Sequence, residues 1–133
     1  VLEYVSESKK ACGSRAKLKV IIESGELKTP ALIAQATELA IQGGADFVKT
    51  STGKVAVNAT LEATEIMLNT IKKSSKPVGF KAAGGVKTTG DANAYLQLTT
   101  EIMGHEYLAP ETFRFGASSL LNDVYKVLHE AQQ

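Results

Sequence analysis

Short apolar runs of strand length alternate along the chain with longer stretches whose apolar residues recur at helical spacing. The β-branched and aromatic runs predict four strands, at 18–22, 45–52, 77–82 and 113–115. Helices are predicted around them, at 3–11, from Thr29 to Gly43, after Thr60, at 91–103 and after Ser119. One helix followed by four strand–helix units is the pattern of an α/β protein with a parallel sheet and right-handed crossovers.

The spacing of the strands points to a more specific architecture. Lys19, Lys49, Lys81 and Arg114 occupy the four predicted strands and follow one another after 30, 32 and 33 residues. A (β/α)₈ barrel of about 250 residues uses about 31 residues per unit. We therefore expect residues 1–133 to form a single domain built as half a TIM barrel, preceded by one helix. A small doubly wound open sheet is the competing architecture, which periodicity alone does not exclude.

Composition and charge exclude several classes of protein. A formal net charge of +1 excludes a strongly basic nucleic-acid binder, and 44% apolar residues indicate a globular chain. No window approaches the roughly 20 apolar residues of a membrane span, and the N-terminus resembles no signal peptide. Cys12 has no disulfide partner, and neither His105 nor His129 has a second ligand at metal-binding spacing. We expect a cytoplasmic protein without a metal and, because the chain begins with Val, a fragment or processed product.

Lysines stand in strands where a parallel sheet normally carries apolar residues. Lys49 and Lys81 interrupt the second and third runs, and Lys19 lies near the start of the first. A lysine held in an apolar site beside a second cation has a lowered pKa, which frees its amine as a nucleophile. Two such lysines on consecutive strands suit a Schiff-base enzyme. The alternative is that each lysine extends from a strand end into solvent.

Three glycine-bearing loops follow the last three strands. Glycines allow close backbone approach to a ligand, and hydroxyls and amides at a helix N-terminus bind anions, so a phosphate site is predicted; ordinary turns are the alternative. The candidate residues are Gly53, Lys54, Gly84, Gly85, Lys87, Gly116, Ser118 and Ser119. Glu23 and Glu26, after the first strand, either line a site or belong to a solvated loop.

Four segments carry a resemblance to a known family. Residues 17–27, 45–54, 78–87 and 113–119 resemble, in order and spacing, the C-terminal half of the deoxyribose-phosphate aldolases, strands five to eight of their barrel. The resemblance implies a class I lyase without a cofactor, which reversibly cleaves 2-deoxy-D-ribose 5-phosphate to acetaldehyde and D-glyceraldehyde 3-phosphate. It implies that Lys49 forms the Schiff base, that Lys81 helps to keep it deprotonated, and that Lys19 joins the polar network.

The same resemblance implies that the three loops bind the substrate phosphate. This chain has Ala82 where the family commonly has proline and Lys87 where it commonly has arginine, and lysine lacks arginine's bidentate fork. The family's catalytic aspartate lies on an earlier strand, outside this chain. The expected partners are therefore a small sugar phosphate and either the missing N-terminal half or a second copy of the chain.

Two other functions are compatible with the residues. A non-catalytic phosphate-binding half-barrel, paired with another chain, would keep the loops without needing the nucleophile. A different Schiff-base aldolase on a similar barrel would keep the lysines with another substrate.

Overall fold

The computed structural model describes the whole chain, Val1–Gln133, as one parallel sheet with its helices. The strands are β1 (Lys19–Ile21), β2 (Phe47–Lys49), β3 (Gly79–Ala83) and β4 (Phe113–Gly116). The helices are α1 (Leu2–Cys12), α2 (Ser24–Leu27), α3 (Pro30–Gln42), α4 (Leu61–Ser74), α5 (Thr89–Met103) and α6 (Leu120–Ala131), and a 3₁₀ turn spans His105–Tyr107.

The four strands pair in parallel and lie side by side in chain order, β1-β2-β3-β4. A doubly wound sheet reverses its strand order at a switch point, whereas a barrel adds each new strand on the same side. No reversal occurs here. The order thus favours the predicted half barrel over the open doubly wound sheet, with β1 and β4 as its two edges.

The hydrophobic core lies between the helices and one face of the sheet. Val48 and Phe80 project from this face and are fully buried against Met67 and Leu68 of α4. Side chains alternate across a strand, so the residues on either side of Val48 and Phe80 point to the opposite, concave face. These residues include Lys49 and Lys81. That face carries the strand lysines, so the helices anchor the sheet while leaving the lysines free of the core.

The predicted N-caps Thr29 and Thr60 both cap their helices, and a further cap lies at the start of α5. The Thr29 side chain accepts a hydrogen bond from the Leu32 N–H at 3.3 Å, and Pro30 occupies the first helical position of α3. Thr88 and Asp91 form a reciprocal capping box at the start of α5. These caps fix where each helix leaves the loop that precedes it, and therefore where the loops lie at the sheet edge.

The structure differs from the sequence prediction in two short helical segments and in the length of one strand. The short helix α2 and the 3₁₀ turn were not predicted, because four and three residues are too few for a helical period. The strand predicted over 45–52 is paired only over Phe47–Lys49. The apolar residues of α6 remain largely exposed, with Leu121 at 61% and Tyr125 at 62%, because nothing in this chain packs on that face. No helix combines the length and apolar character that a membrane crossing requires.

Candidate active site

A row of basic residues crosses the concave face of the sheet. In the parallel register Lys49 of β2 pairs with Lys81 of β3, and Lys81 pairs with Arg114 of β4. Lys19 lies one row lower, opposite Phe47. The strand residues of this face include no aspartate, glutamate or histidine, and none of the four cations takes part in a salt bridge. The face is therefore a strongly positive surface.

Phe47 is the one aromatic residue on the concave face, and the cations are arranged around it. Its ring fits over Gly79, where an added Cβ would lie 2.5 Å from the ring. The Arg114 guanidinium is 4.5 Å from the ring centroid and the Lys19 ammonium is 5.9 Å from it, both within cation–π range. The Arg114 Nε–H also donates to the Pro110 carbonyl at 2.9 Å. Sequence reasoning gave Arg114 no chemical role, although its spacing from Lys81 repeats the spacing of the lysines.

Lys81 lies where neighbouring charges disfavour its protonated form. Its side chain passes over Gly116, where an added Cβ would approach the lysine Cε to 2.9 Å. Partial burial, the neighbouring Lys19 ammonium and the Arg114 guanidinium lower the pKa of Lys81, in that order of size. Cations are therefore crowded at Lys81, with Lys19 and Arg114 as its charged neighbours.

The loops after β2, β3 and β4 enclose one open pocket of about 370 Å³ at the carboxyl edge of the sheet. All eight residues predicted for phosphate binding line it, together with Lys49. Lys81 and Lys19 lie on the same face of the sheet but do not line this pocket. The structure therefore places the predicted nucleophile in the same cavity as the predicted anion-binding loops.

Two loop glycines make the wall of this pocket possible. Gly84 has a φ of 86° and Gly85 has a φ of 84°, both in the left-handed region that side chains rarely adopt. An added Cβ at Gly84 would also meet the Asn58 side chain at 2.4 Å, so the β3 loop contacts the loop that follows β2. This backbone shape turns the chain back at the pocket after β3.

The loop after β2 is fixed to β3 at its first residues. The buried Thr50 hydroxyl donates to the Ala83 carbonyl at 3.2 Å and accepts from the Ala83 N–H at 3.1 Å. Both bonds form directly beyond Lys49, where the regular pairing of β2 ends. The bonds hold the exit of β2 beside β3, and with it the position of the Lys49 side chain.

A comparison with protein families decides what kind of chain carries this pocket. The model of the DeoC/LacD family of aldolases matches residues 1–126. The chain belongs to this family of aldolases. A relative from Agrobacterium fabrum (strain C58), named deoxyribose-phosphate aldolase, is 58% identical over 128 residues, which are 96% of this chain and 49% of the relative.

Solved structures of this family show the same fold. A Toxoplasma gondii ME49 protein in its apo form, assigned as a deoxyribose-phosphate aldolase, is 28% identical with a TM-score of 0.85; the match covers 95% of this chain and 50% of that one. The deoxyribose phosphate aldolase of Aeropyrum pernix is 22% identical, with a TM-score of 0.72. This match covers 98% of this chain and 49% of the Aeropyrum chain, and it supports the fold alone. The chain spans about half the length of the relatives it matches, which confirms the predicted half barrel.

The side chains that could hold a metal do not come together. No group of three His, Cys, Asp or Glu residues lies at metal-binding distances, and His105 and His129 are both exposed. The pocket itself is lined by lysine amines, serine and threonine hydroxyls and the backbone of glycine loops.

Proposed function

We propose that this chain is the C-terminal half of a deoxyribose-phosphate aldolase, a class I lyase that reversibly cleaves 2-deoxy-D-ribose 5-phosphate to acetaldehyde and D-glyceraldehyde 3-phosphate. The observation that carries this proposal is the shared pocket, in which Lys49 lines the same cavity as the three loops proposed to bind the phosphate. A pocket of about 370 Å³ falls in the size range of small-molecule sites. The 58% identity to the Agrobacterium aldolase supports the same substrate.

In the proposed reaction Lys49 is the nucleophile. Its neutral amine attacks the C1 aldehyde of the open-chain sugar phosphate, and loss of water forms an imine. The imine accepts the electron pair of the C2–C3 bond as that bond breaks, the C3 hydroxyl loses its proton and becomes the new aldehyde, and D-glyceraldehyde 3-phosphate leaves. The remaining enamine is protonated, and water hydrolyses the resulting imine to release acetaldehyde and restore the amine.

Lys81 and Lys19 support this nucleophile by their charge and position. Lys81 is the direct register partner of Lys49 on the next strand, so it lies on the same face of the sheet. This register brings a second basic side chain beside the proposed nucleophile. The Lys19 ammonium lies 5.9 Å from the Phe47 ring centroid and adds a further positive charge to this face.

The three loops are proposed to take the phosphate. Backbone amides, lysine ammonium groups and serine hydroxyls suit a dianionic phosphate ester. Ser119 is the residue before α6, and its side chain makes no capping hydrogen bond, which leaves the hydroxyl available to a ligand. Lys54 and Lys87 are exposed at the rim of the pocket and add two positive charges.

The proposed partner is the N-terminal half of the barrel, which would close the sheet at β1 and β4. The concave face offers this partner four cations and no acidic group, so a half that brings carboxylates would neutralise it and supply the missing acid–base group. The exposed apolar residues of α6, the helix that follows the edge strand β4, would be covered by the same partner. A second copy of this chain is disfavoured, because it would bring eight uncompensated cations face to face.

The lack of an acid–base group favours one second candidate, a phosphate-binding half-barrel without catalysis. Lys49→Leu separates the two, because it removes the Schiff base and leaves the loops intact. A cytoplasmic setting belongs to the main proposal, as a single free cysteine is usual in reducing compartments.

The proposal is tested by adding the matching N-terminal half to this chain and measuring acetaldehyde release from deoxyribose 5-phosphate. We expect activity from the mixture and none from a mixture containing Lys49→Leu, whereas the exposed control Lys73→Leu should behave as wild type. Binding of the sugar phosphate without turnover in the wild-type mixture would establish the non-catalytic alternative instead.

A further inference from the structure

The corner between β1 and α2 holds a strained residue in contact with the phosphate loop. Glu23 has φ 52° and ψ 60°, a left-handed conformation that costs free energy for any residue other than glycine. Its carboxylate Oε1 accepts a hydrogen bond from the Thr52 backbone N–H at 3.0 Å. Thr52 directly precedes the Gly53–Lys54 turn of the proposed phosphate site. Strained backbone conformations of this kind are concentrated at functional sites, so the contact between Glu23 and the loop is a candidate functional contact.

Two further contacts fix the same corner to the same loop. The Ser24 N–H donates to the Thr50 carbonyl at 2.9 Å, which extends the pairing of β1 and β2 beyond the strands. Gly25 packs so closely on the loop that an added Cβ would lie 1.9 Å from the Val57 carbonyl oxygen. The corner therefore contacts the loop on both sides of the Gly53–Lys54 turn.

The opposite side of the loop rests on β3 and its glycine loop. The Ala59 N–H donates to the Ala83 carbonyl at 3.2 Å, and Gly84 lies directly against Asn58. Within the turn, the Lys54 N–H donates to the Thr52 hydroxyl at 3.2 Å. The turn is thus joined through Thr52 to Glu23, while its own residues remain exposed at the pocket.

We propose that Glu23 is a positioning residue, whose carboxylate holds the Thr52 amide and thereby sets the Gly53–Lys54 turn in the shape that accepts a phosphate ester. This inference rests on the proposed function, because the ligand is the same sugar phosphate. Glu23 does not line the pocket, so we expect it to make no direct contact with the phosphate. Its effect passes through the hydrogen bond to the loop.

Three variants separate the hydrogen bond from the charge and from the backbone strain. Glu23→Gly removes the carboxylate and suits the left-handed backbone, so the fold is not penalised. Glu23→Gln keeps an oxygen acceptor for the Thr52 N–H and removes the charge. Glu26→Gln removes a neighbouring charge from an exposed residue that makes no side-chain hydrogen bond, and serves as the matched control.

The measurement is a titration of the ¹⁵N-labelled chain with deoxyribose 5-phosphate and, separately, with inorganic phosphate, followed at the amides of the turn. We expect Glu23→Gly to weaken binding about tenfold, in line with the loss of one hydrogen bond that orders the loop. We expect Glu23→Gln and Glu26→Gln to bind within about twofold of wild type. Hydrogen exchange at the Thr52 amide should be faster in Glu23→Gly alone, while the melting temperatures stay close to wild type.

The outcomes distinguish this inference from the proposed function. If the wild type binds and Glu23→Gly binds equally well, the positioning role is wrong and the proposed function stands. If Glu23→Gln is as weak as Glu23→Gly, charge and not the hydrogen bond is responsible, and the inference is overturned. A wild-type chain that binds neither probe at these amides contradicts the phosphate site itself, and the inference with it.

Discussion

Replacing Lys81 by Met is expected to stabilise this chain, although it removes a proposed functional group. Lys81 is partly buried on a face that also carries Lys19 and Arg114, and that face has no acidic strand residue. Two like charges about 4 Å apart repel each other by about 1 kcal/mol in water and by about 4 kcal/mol at an effective dielectric constant of 20, before salt screening. With screening at 0.1 M salt, we expect Lys81→Met to raise the free energy of unfolding by about 1 kcal/mol.

The gain should depend on pH in a direction fixed by linkage. The pKa of Lys81 is lowered from 10.5 in the folded chain, so the unfolded chain binds more protons between the two values. Wild-type stability therefore rises with pH through that window, because the ammonium that the fold disfavours is lost. The advantage of Lys81→Met should be full at neutral pH and should shrink as the pH approaches 10.5.

Urea unfolding of both proteins at pH 7 and near pH 10 measures the difference. The exposed Lys76→Met is the control for loss of a lysine as such, and about 1 kcal/mol corresponds to roughly 3–5 °C in Tm for a chain of this size. High salt should reduce the gain. A Lys81→Met chain that is less stable than wild type, or equally favoured at both pH values, would refute the picture of uncompensated cations.

Two further substitutions test the packing of the site, and a third tests the proposed interface. Gly79→Ala should destabilise the chain by about 1–3 kcal/mol, because its Cβ would meet the Phe47 ring; a wild-type urea midpoint would contradict that packing. Thr50→Val should cost about 1–3 kcal/mol, since the Ala83 N–H and carbonyl would both lose a buried partner; a loss under 0.5 kcal/mol in the same assay would be evidence against the bridge. Leu121→Lys should leave the melting temperature of this chain unchanged and abolish its co-purification with the N-terminal half, whereas continued co-purification would exclude α6 from the interface.

The fold could be predicted from the sequence because its units are regular. The alternation of strands and helices and the repeat between Lys19, Lys49 and Lys81 follow from local patterns. The comparisons confirmed the family suggested by four short segments. The choice between half barrel and doubly wound sheet needed the strand order, which depends on contacts between distant residues and not on local propensity.

Parts of the site were out of reach for the same reason. Arg114 is in an ordinary strand position by sequence, and its importance comes from its place over Phe47, 67 residues earlier in the chain. Glu23 adopts a left-handed backbone conformation, which sequence analysis normally expects only at glycine or asparagine. Its hydrogen bond to Thr52 depends on the packing of two loops, which sequence patterns do not encode.

The most direct test of the central claim is to trap the Schiff base. The chain, with and without its N-terminal half, is incubated with deoxyribose 5-phosphate, reduced with borohydride and mapped by mass spectrometry. We predict one covalent adduct, on Lys49, in the completed barrel. An adduct on another lysine would contradict the proposed nucleophile. If the two halves form a stable complex that binds the sugar phosphate but no adduct forms, Schiff-base catalysis by this site is contradicted.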